Sequence, residues 1–173
     1  MNKYIPNMYQ KDIYNINYKL LKEKNIKCLL FDLDNTIVPG HVKKAEQKTK
    51  DLFMKLKKEG FRVFIFSNSP SHRLKPFKDF LEVEVNALSL KPLQFSFKKI
   101  INKTGLKKEE IAIIGDQLLT DIIGGNKAGI FTILIDPITV KDQFVTKFNR
   151  KKENKILDEL KKEGLFLKGR YYE

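Results

Sequence analysis

Cys28-Leu29-Leu30-Phe31-Asp32-Leu33-Asp34-Asn35-Thr36 is the stretch around which the rest of the chain is read. Apolar residues run straight into Asp32, the pattern of a buried parallel strand that ends in acids at its C-terminal tip. Such tips are where open α/β sheets build their sites. Side chains alternate along a strand, so Asp32 and Asp34 leave it on the same side and can share one small pocket. Two carboxylates held that close repel, and the pair needs a cation or a proton. A phosphoryl-transfer site provides both, with Asp32 as ionised nucleophile, a hard divalent cation on the carboxylates, and Asp34 as acid and base. The plainer reading of the same stretch is a turn after a strand, its Asp and Asn accepting local backbone hydrogen bonds.

Length and composition narrow the rest. A chain of 173 residues suits one domain, which at this size buries roughly 70% of the surface its unfolded form exposes. The hydrophobic fraction of 42% is ordinary, and no apolar run approaches the roughly 20 residues that span a bilayer. The first 25 residues are polar and dotted with lysine, without the apolar core of a secretory signal. The single cysteine, Cys28, excludes a disulfide within the chain and points to a reducing compartment, so a cytoplasmic location is expected. Lys and Arg total 34 against 21 acids, a net charge of +13. Such a surface favours anionic partners, among them nucleic acid, an acidic membrane surface and phosphorylated substrates. Solvated, lysine-rich helix faces account for individual runs equally well.

Taken in order, residues 1–26 read as an arm with a helix, since Ile13, Ile16 and Leu20 follow Asp12 at helical spacing and Asn25 can close it. The arm is expected to cover an edge or face of the sheet. After the acid pair, Pro39-Gly40 marks a turn, and Ala45, Leu52, Phe53 and Leu56 line a helix that ends at Gly60. This crossover delivers a second strand, Phe61 to Phe66, and the right-handed rule for parallel units puts Ser67 on the same sheet edge as Asp32. A short helix through Leu74, Phe77, Phe80 and Leu81 leads to a strand from Val83 to Ala87. Lys91-Pro92 follows in a loop, Pro92 suiting the first turn of the next helix. That helix, carrying Phe95, Phe97, Ile100 and Ile101, closes near Gly105. A fourth strand, Ile111 to Ile114, runs into Gly115-Asp116, where Asp116 also fits a simple helix N-cap. Gly124 and Gly125 suggest close packing before Ala128-Gly129, and Phe131 to Ile135 is the fifth strand. The expected fold is α/β: a Rossmann-like three-layer αβα sandwich on a mainly parallel sheet of about five strands. Its catalytic core spans 27–137, with a basic helical segment over 138–173. In that segment Phe144, Val145, Phe148, Ile156, Leu157 and Leu160 form a helical stripe that either packs on its own domain or lies on a membrane surface.

The motifs together resemble the haloacid dehalogenase (HAD) superfamily. Asp32-Leu33-Asp34-Asn35-Thr36 resembles its first motif, Ser67 with Asn68 its second, Lys91 its third, and Gly115-Asp116 through Asp121 its fourth, in a form similar to subfamily IIIA. The resemblance extends over most of the chain to the YqeG-type branch, on Pro6 and the Tyr/Ile-rich arm, Lys91-Pro92 and Gly115 to Gly129; Ser69 stands where that pattern suggests Asn. It implies that Asp32 attacks phosphorus and that Asp34 protonates the departing oxygen and later deprotonates water. It further implies that Mg²⁺ binds Asp32, Asp116 and the backbone carbonyl of Asp34, while Thr36 fixes the loop. Ser67, Asn68 and Lys91 would bind the phosphoryl oxygens, and Asp121 would support the metal shell or Lys91.

The gaps between the motifs are too short for a cap domain. In this superfamily caps enclose small substrates, so a capless member suits a phosphate on something large. The branch is similar to phosphatidylglycerophosphatases, which implies an anionic phospholipid as partner and a peripheral place on the inner membrane face. Two other readings stand beside it. One keeps the chemistry on a nucleic-acid terminal phosphate or a small soluble phosphoester, although no aromatic-and-basic nucleic-acid module is present. The other is a receiver-like binding module without turnover, which has no need of Asp34 and Thr36 after Asp32. His41 and His72 are lone residues with no assigned role.

Overall fold

The computed structural model describes residues 3–139 and 144–173, with side chains for all of these except 144–148. Its elements alternate as the crossovers require: β1 (Met8–Gln10), α1 (Tyr18–Glu23), β2 (Cys28–Phe31), α2 (Gln47–Lys58), β3 (Arg62–Phe66), α3 (Ser71–Leu81), β4 (Glu84–Asn86), α4 (Gln94–Thr104), β5 (Ile111–Gly115), α5 (Ile123–Ala128), β6 (Phe131–Ile135) and α6 (Phe144–Lys162). The strands form one sheet in the order β1-β6-β5-β2-β3-β4. Every ladder between neighbouring strands is parallel. From β2 the chain winds outward through β3 and β4, then returns to the other side of β2 with β5. The order therefore reverses between β2 and β5, where open α/β sheets leave a crevice for ligands.

The central strand β2 pairs with β3 and β5, Phe31 lying opposite Ile65 on one side and Ile114 on the other. All four of its residues are buried. Alternation sends Leu29 and Phe31 into a core with Val63, Ile65, Ala112 and Ile114 beneath α1, α2 and α3. The Phe31 and Phe53 rings meet there at 4.8 Å between centroids. Cys28 and Leu30 face the opposite layer, where Phe97 and Ile100 of α4 pack with Phe64 and Phe66. A third apolar cluster sits toward β1, where Tyr9, Leu118, Ile122 and Leu134 meet Leu160 and Phe166, with Ile156 and Leu157 alongside. The described part of the C-terminal stripe therefore packs on its own protein. Phe144, Val145 and Phe148 lie outside the residues whose side chains are described.

Local details depart from the sequence-based expectations in three places. The arm does cover a sheet edge, but as a sixth strand: Met8, Tyr9 and Gln10 pair with Ile133, Leu134 and Ile135. Three residues are too few for a periodic signal. The arm helix begins at Tyr18 rather than after Asp12, because the Asn17 side chain caps it by accepting from the Leu20 amide. Asp12 instead closes a turn, its Oδ1 accepting from the Tyr14 and Asn15 amides at 2.8 and 3.1 Å. Pro92 lies outside α4, which is capped by Leu93, and the Lys91–Pro92 peptide is cis.

The two adjacent glycines behave as the sequence suggests. A Cβ on Gly124 would come within 2.6 Å of the Phe97 ring, and one on Gly125 within 2.6 Å of Thr132 Cγ2. Close approach of α5 to α4 and to the sheet requires their bare backbone.

Candidate active site

Because the sheet is parallel, the loops after β2, β3, β4 and β5 gather at one edge. The first of them carries Asp32, Asp34 and Thr36, the second Ser67 to Ser69, the third Lys91, and the fourth Asp116 to Asp121. Lys91 is the hub. Its ammonium donates to Asp32 Oδ1 at 2.8 Å and to Asp121 Oδ1 at 2.7 Å, with the Lys91 side chain only 1% exposed. Burial works against that charge, and the attraction of Asp121 and Asp32 outweighs it, so the lysine pKa is raised and it stays charged. The backbone is held as firmly. Asn68 Oδ1 accepts from the Lys91 amide at 2.7 Å, and Asn68 Nδ2 donates to the Lys91 carbonyl at 3.1 Å. Both ends of the Asn68 amide are thus engaged with Lys91 rather than turned toward a ligand.

Asp116 sits opposite. It is buried, Thr36 Oγ1 donates to its Oδ1 at 3.4 Å, and Arg150 of α6 forms an ion pair with its Oδ2. Arg150 also donates to the Asp116 carbonyl at 3.1 Å and to Glu153 Oε2 at 3.2 Å. Glu153 in turn accepts from the Leu119 amide at 2.9 Å, which ties α6 to the wide helical turn Leu118–Ile122. Asp121 reaches this centre only because Gly115 lacks a side chain, since a Cβ there would lie 2.2 Å from Asp121 Oδ2.

Asp32, Asp116 and Asp121 each offer a carboxylate oxygen within 4.8 Å of the other two. Burial pushes the Asp32 carboxyl up to about 7, with Lys91 pulling it down and Asp121 and Asp34 pushing it up. Burial likewise lifts Asp116 to about 8, against the pull of Arg150 and with the push of Asp32 and Asp121. Among the described residues, three buried carboxylates, with Glu153 behind them, share the two cations Lys91 and Arg150. The cluster is short of positive charge, and its donors are hard oxygens. A divalent metal ion fits both conditions.

Asp34 stands close enough to act on Asp32 but has partners of its own. Its Oδ2 accepts from Ser69 Oγ at 2.6 Å, and its Oδ1 accepts from Arg73 Nη2 at 2.8 Å and Nε at 3.3 Å. Arg73 is anchored by the Val42 carbonyl and by stacking on Phe77. Ser67 is buried, and its Oγ accepts from the Ser69 amide at 3.1 Å. The arrangement can hold a phosphoryl group: one ionisable carboxylate beside a fixed ammonium, a second carboxylate two residues on in the same loop, and a cation-hungry acid cluster.

The structure brings all the sequence-predicted residues to one sheet edge. Four further residues join them that the motifs do not mark: Ser69, Arg73, Arg150 and Glu153. Ser69 lies two residues beyond Ser67 and was legible from that spacing. Arg73, Arg150 and Glu153 reach the site through helix placement and had no local signal.

The family model described as Mitochondrial PGP phosphatase matches residues 1–139. A probable phosphatase of the YqeG type from Bacillus subtilis is 38% identical over 161 residues, covering 93% of this chain and 94% of that protein. A phosphatidylglycerophosphate phosphatase 1 of Arabidopsis thaliana, chloroplastic and mitochondrial, is 24% identical over 93% of this chain and 49% of its own length. Among solved structures, the cobalt-bound form of a deoxy-D-mannose-octulosonate 8-phosphate phosphatase from Haemophilus influenzae superposes with a TM-score of 0.52 at 18% identity, covering 84% of this chain and 95% of that one. The chain belongs to the Mitochondrial PGP phosphatase family and is a phosphatase of the HAD type.

Proposed function

We propose that this phosphatase works through an aspartyl-phosphate on Asp32, with Mg²⁺ as its metal, and releases phosphate from phosphatidylglycerophosphate to leave phosphatidylglycerol. The observation that carries the chemistry is the pairing of Asp32 with a buried, charged Lys91 beside the Asp116–Asp121 cluster. The substrate reading is supported by the family, by the uncapped site and by the net charge of +13. The reading treats 1–173 as one catalytic unit, with the core over 27–137. Among the described residues no helix is long and apolar enough to cross a membrane, which fits a peripheral place on an anionic leaflet.

In the first step an Asp32 carboxylate oxygen forms a bond to phosphorus as the ester P–O bond breaks, and Asp34 gives its proton to the departing oxygen. In the second, water attacks phosphorus while Asp34 takes its proton, the bond to Asp32 breaks, and inorganic phosphate leaves. Lys91 and Ser67 hold phosphoryl oxygens, and Asn68 sets the position of Lys91 through its backbone. Arg73 and Ser69 orient Asp34, Thr36 fixes Asp116, and Asp121 holds Lys91. Asp32, Asp116 and the carbonyl of Asp34 would hold the metal, with Asp121 close by. When bound, the ion neutralises charge on the transferring phosphoryl group.

Phosphate release from phosphatidylglycerophosphate in mixed micelles, with and without Mg²⁺, tests the reading beside a panel of soluble phosphoesters and a 3′-phosphorylated oligonucleotide. Metal-dependent turnover with preference for the lipid is expected, and Asp32→Asn should abolish it while leaving the unfolding transition in place. Activity retained in that variant would sink the mechanism. Preference for a soluble ester or the oligonucleotide would remove the lipid assignment alone.

A further inference from the structure

The loop that carries Lys91 is unlike its neighbours at the sheet edge. Between β4 and the first turn of α4 it exposes four large apolar side chains: Leu88 at 59%, Leu90 at 51%, Leu93 at 51% and Phe95 at 56%. Four such residues within eight positions are more than the scattered single exposures of an ordinary surface. Two of them also sit where leucine is disfavoured, with φ of 48° at Leu88 and 51° at Leu90. The loop is nevertheless braced. Leu88 N donates to the Ser69 carbonyl and Ser89 N to the Ser67 carbonyl, both at 3.0 Å, while the Asn68 amide clamps Lys91. Ser89 and Lys91 point inward, buried, so the backbone turns Leu88 and Leu90 outward. A strained backbone that presents greasy side chains to solvent, one residue from a buried lysine, is retained at the expense of stability.

The surroundings choose the occupant. Exposed lysines continue the same helix: Lys98 and Lys99 follow Phe95 by three and four positions, the spacing that puts side chains on one helix face. Apolar side chains with lysines alongside, on a chain of net charge +13, match an anionic bilayer surface, where leucine and phenylalanine enter the acyl boundary and lysines meet the headgroups. The C-terminal helix is the weaker contender, because Ile156, Leu157 and Leu160 are packed against the Tyr9 cluster.

We infer that the Leu88–Phe95 loop is a membrane-docking element that seats the open site on an anionic lipid surface, bringing a headgroup phosphate to Lys91. This rests on the lipid reading above only for the identity of the phosphate, since docking itself needs no turnover.

The chain of 173 residues has no tryptophan, so Phe95→Trp makes a unique reporter within it. Its emission should shift to the blue with phosphatidylglycerol/phosphatidylcholine vesicles, should be quenched by lipids brominated on the acyl chain, and should stay unchanged with pure phosphatidylcholine. In parallel, Leu88→Asn/Leu93→Gln/Phe95→Gln should lower binding to the anionic vesicles at least tenfold. It should raise the KM for micellar lipid at least tenfold and leave kcat/KM for p-nitrophenyl phosphate within twofold. Lys151→Gln/Lys155→Gln on α6 should change vesicle binding no more than about twofold. Unquenched tryptophan, or vesicle binding by the triple variant equal to wild type, would overturn the proposal. A wild-type dimer that the triple variant turns into a monomer, without any lipid effect, would assign the patch to self-association instead. Vesicle docking without hydrolysis of phosphatidylglycerophosphate would leave the docking surface standing and remove only the substrate reading.

Discussion

Lys91 lies between Asp32 and Asp121 at 2.8 and 2.7 Å with almost no solvent around it, so its removal leaves two carboxylates buried and mutually repelling. Breaking a buried pair from one side costs about 3–5 kcal/mol. Lys91→Met is therefore expected to lower the urea unfolding free energy by that amount at pH 7 and, on the proposed mechanism, to lower kcat by roughly 10²–10³-fold as the phosphoryl group loses its fixed donor. Unchanged stability would show that the acids protonate at no cost once the lysine is gone. Cys28 offers a test of burial without catalysis. Its thiol lies in β2 among apolar neighbours, and burial pushes its pKa from 9.0 to about 12, against the pull of Arg62. A raised acid pKa favours the fold fully below the unfolded value, and that favour drains away as pH climbs from about 9 toward about 12. Iodoacetamide should thus leave the native protein unmodified at pH 8. The unfolding free energy of wild type relative to Cys28→Ala should fall between pH 8 and pH 10.5.

Strands and helices explain why the site residues converge. β2, β3 and β5 are apolar and buried over Cys28–Phe31, Val63–Phe66 and Ile111–Ile114, and each ends where a polar tip must leave the sheet. Helices α4 and α5 can approach closely only over bare glycine. Gly125→Ala would place a methyl 2.6 Å from Thr132 and 2.8 Å from Ile113, both on sheet strands that cannot move apart. Overpacking of this kind costs about 1–3 kcal/mol. The midpoint in urea should fall accordingly, with the slope of the transition unchanged. Wild-type stability in that variant would mean that α5 can shift on the sheet, against the contacts that Thr132 makes with Asn126 and Asn7.

The C-terminal helix joins the site to the far edge of the sheet. On one side Leu160 and its neighbours pack against Tyr9 of β1, and on the other Arg150 and Glu153 hold Asp116 and the Leu119 amide. On the proposed mechanism Arg150 is thus a positioning residue for Asp116, a carboxylate that would hold the metal. Loss of such outer partners typically weakens metal affinity or activity 10–100-fold. Arg150→Gln should raise the Mg²⁺ concentration for half-maximal activity within that range, and calorimetric Mg²⁺ affinity should fall in parallel. Arg150→Lys, which keeps the charge, should restore part of it. Equal Mg²⁺ affinity in all three proteins would limit Arg150 to packing α6.

Local pattern alone determined much of this protein. Apolar runs bounded by Gly60, Gly105 and Gly129 mark strands and helices, and parallel order sends Asp32, Ser67, Lys91 and Asp116 to one edge wherever the crossovers are right-handed. Helix and strand periods are properties of neighbouring residues, so they survive in the sequence. What depended on distant docking did not. The Arg73–Asp34 and Arg150–Asp116 pairs are separated by 39 and 34 residues. The three-residue strand β1 exists only because β6 offers it an edge. The turn of Asn68 toward Lys91 and the outward leucines of its loop were likewise decided by tertiary structure. Each depends on which surfaces meet, and hydrophobic period carries no record of that.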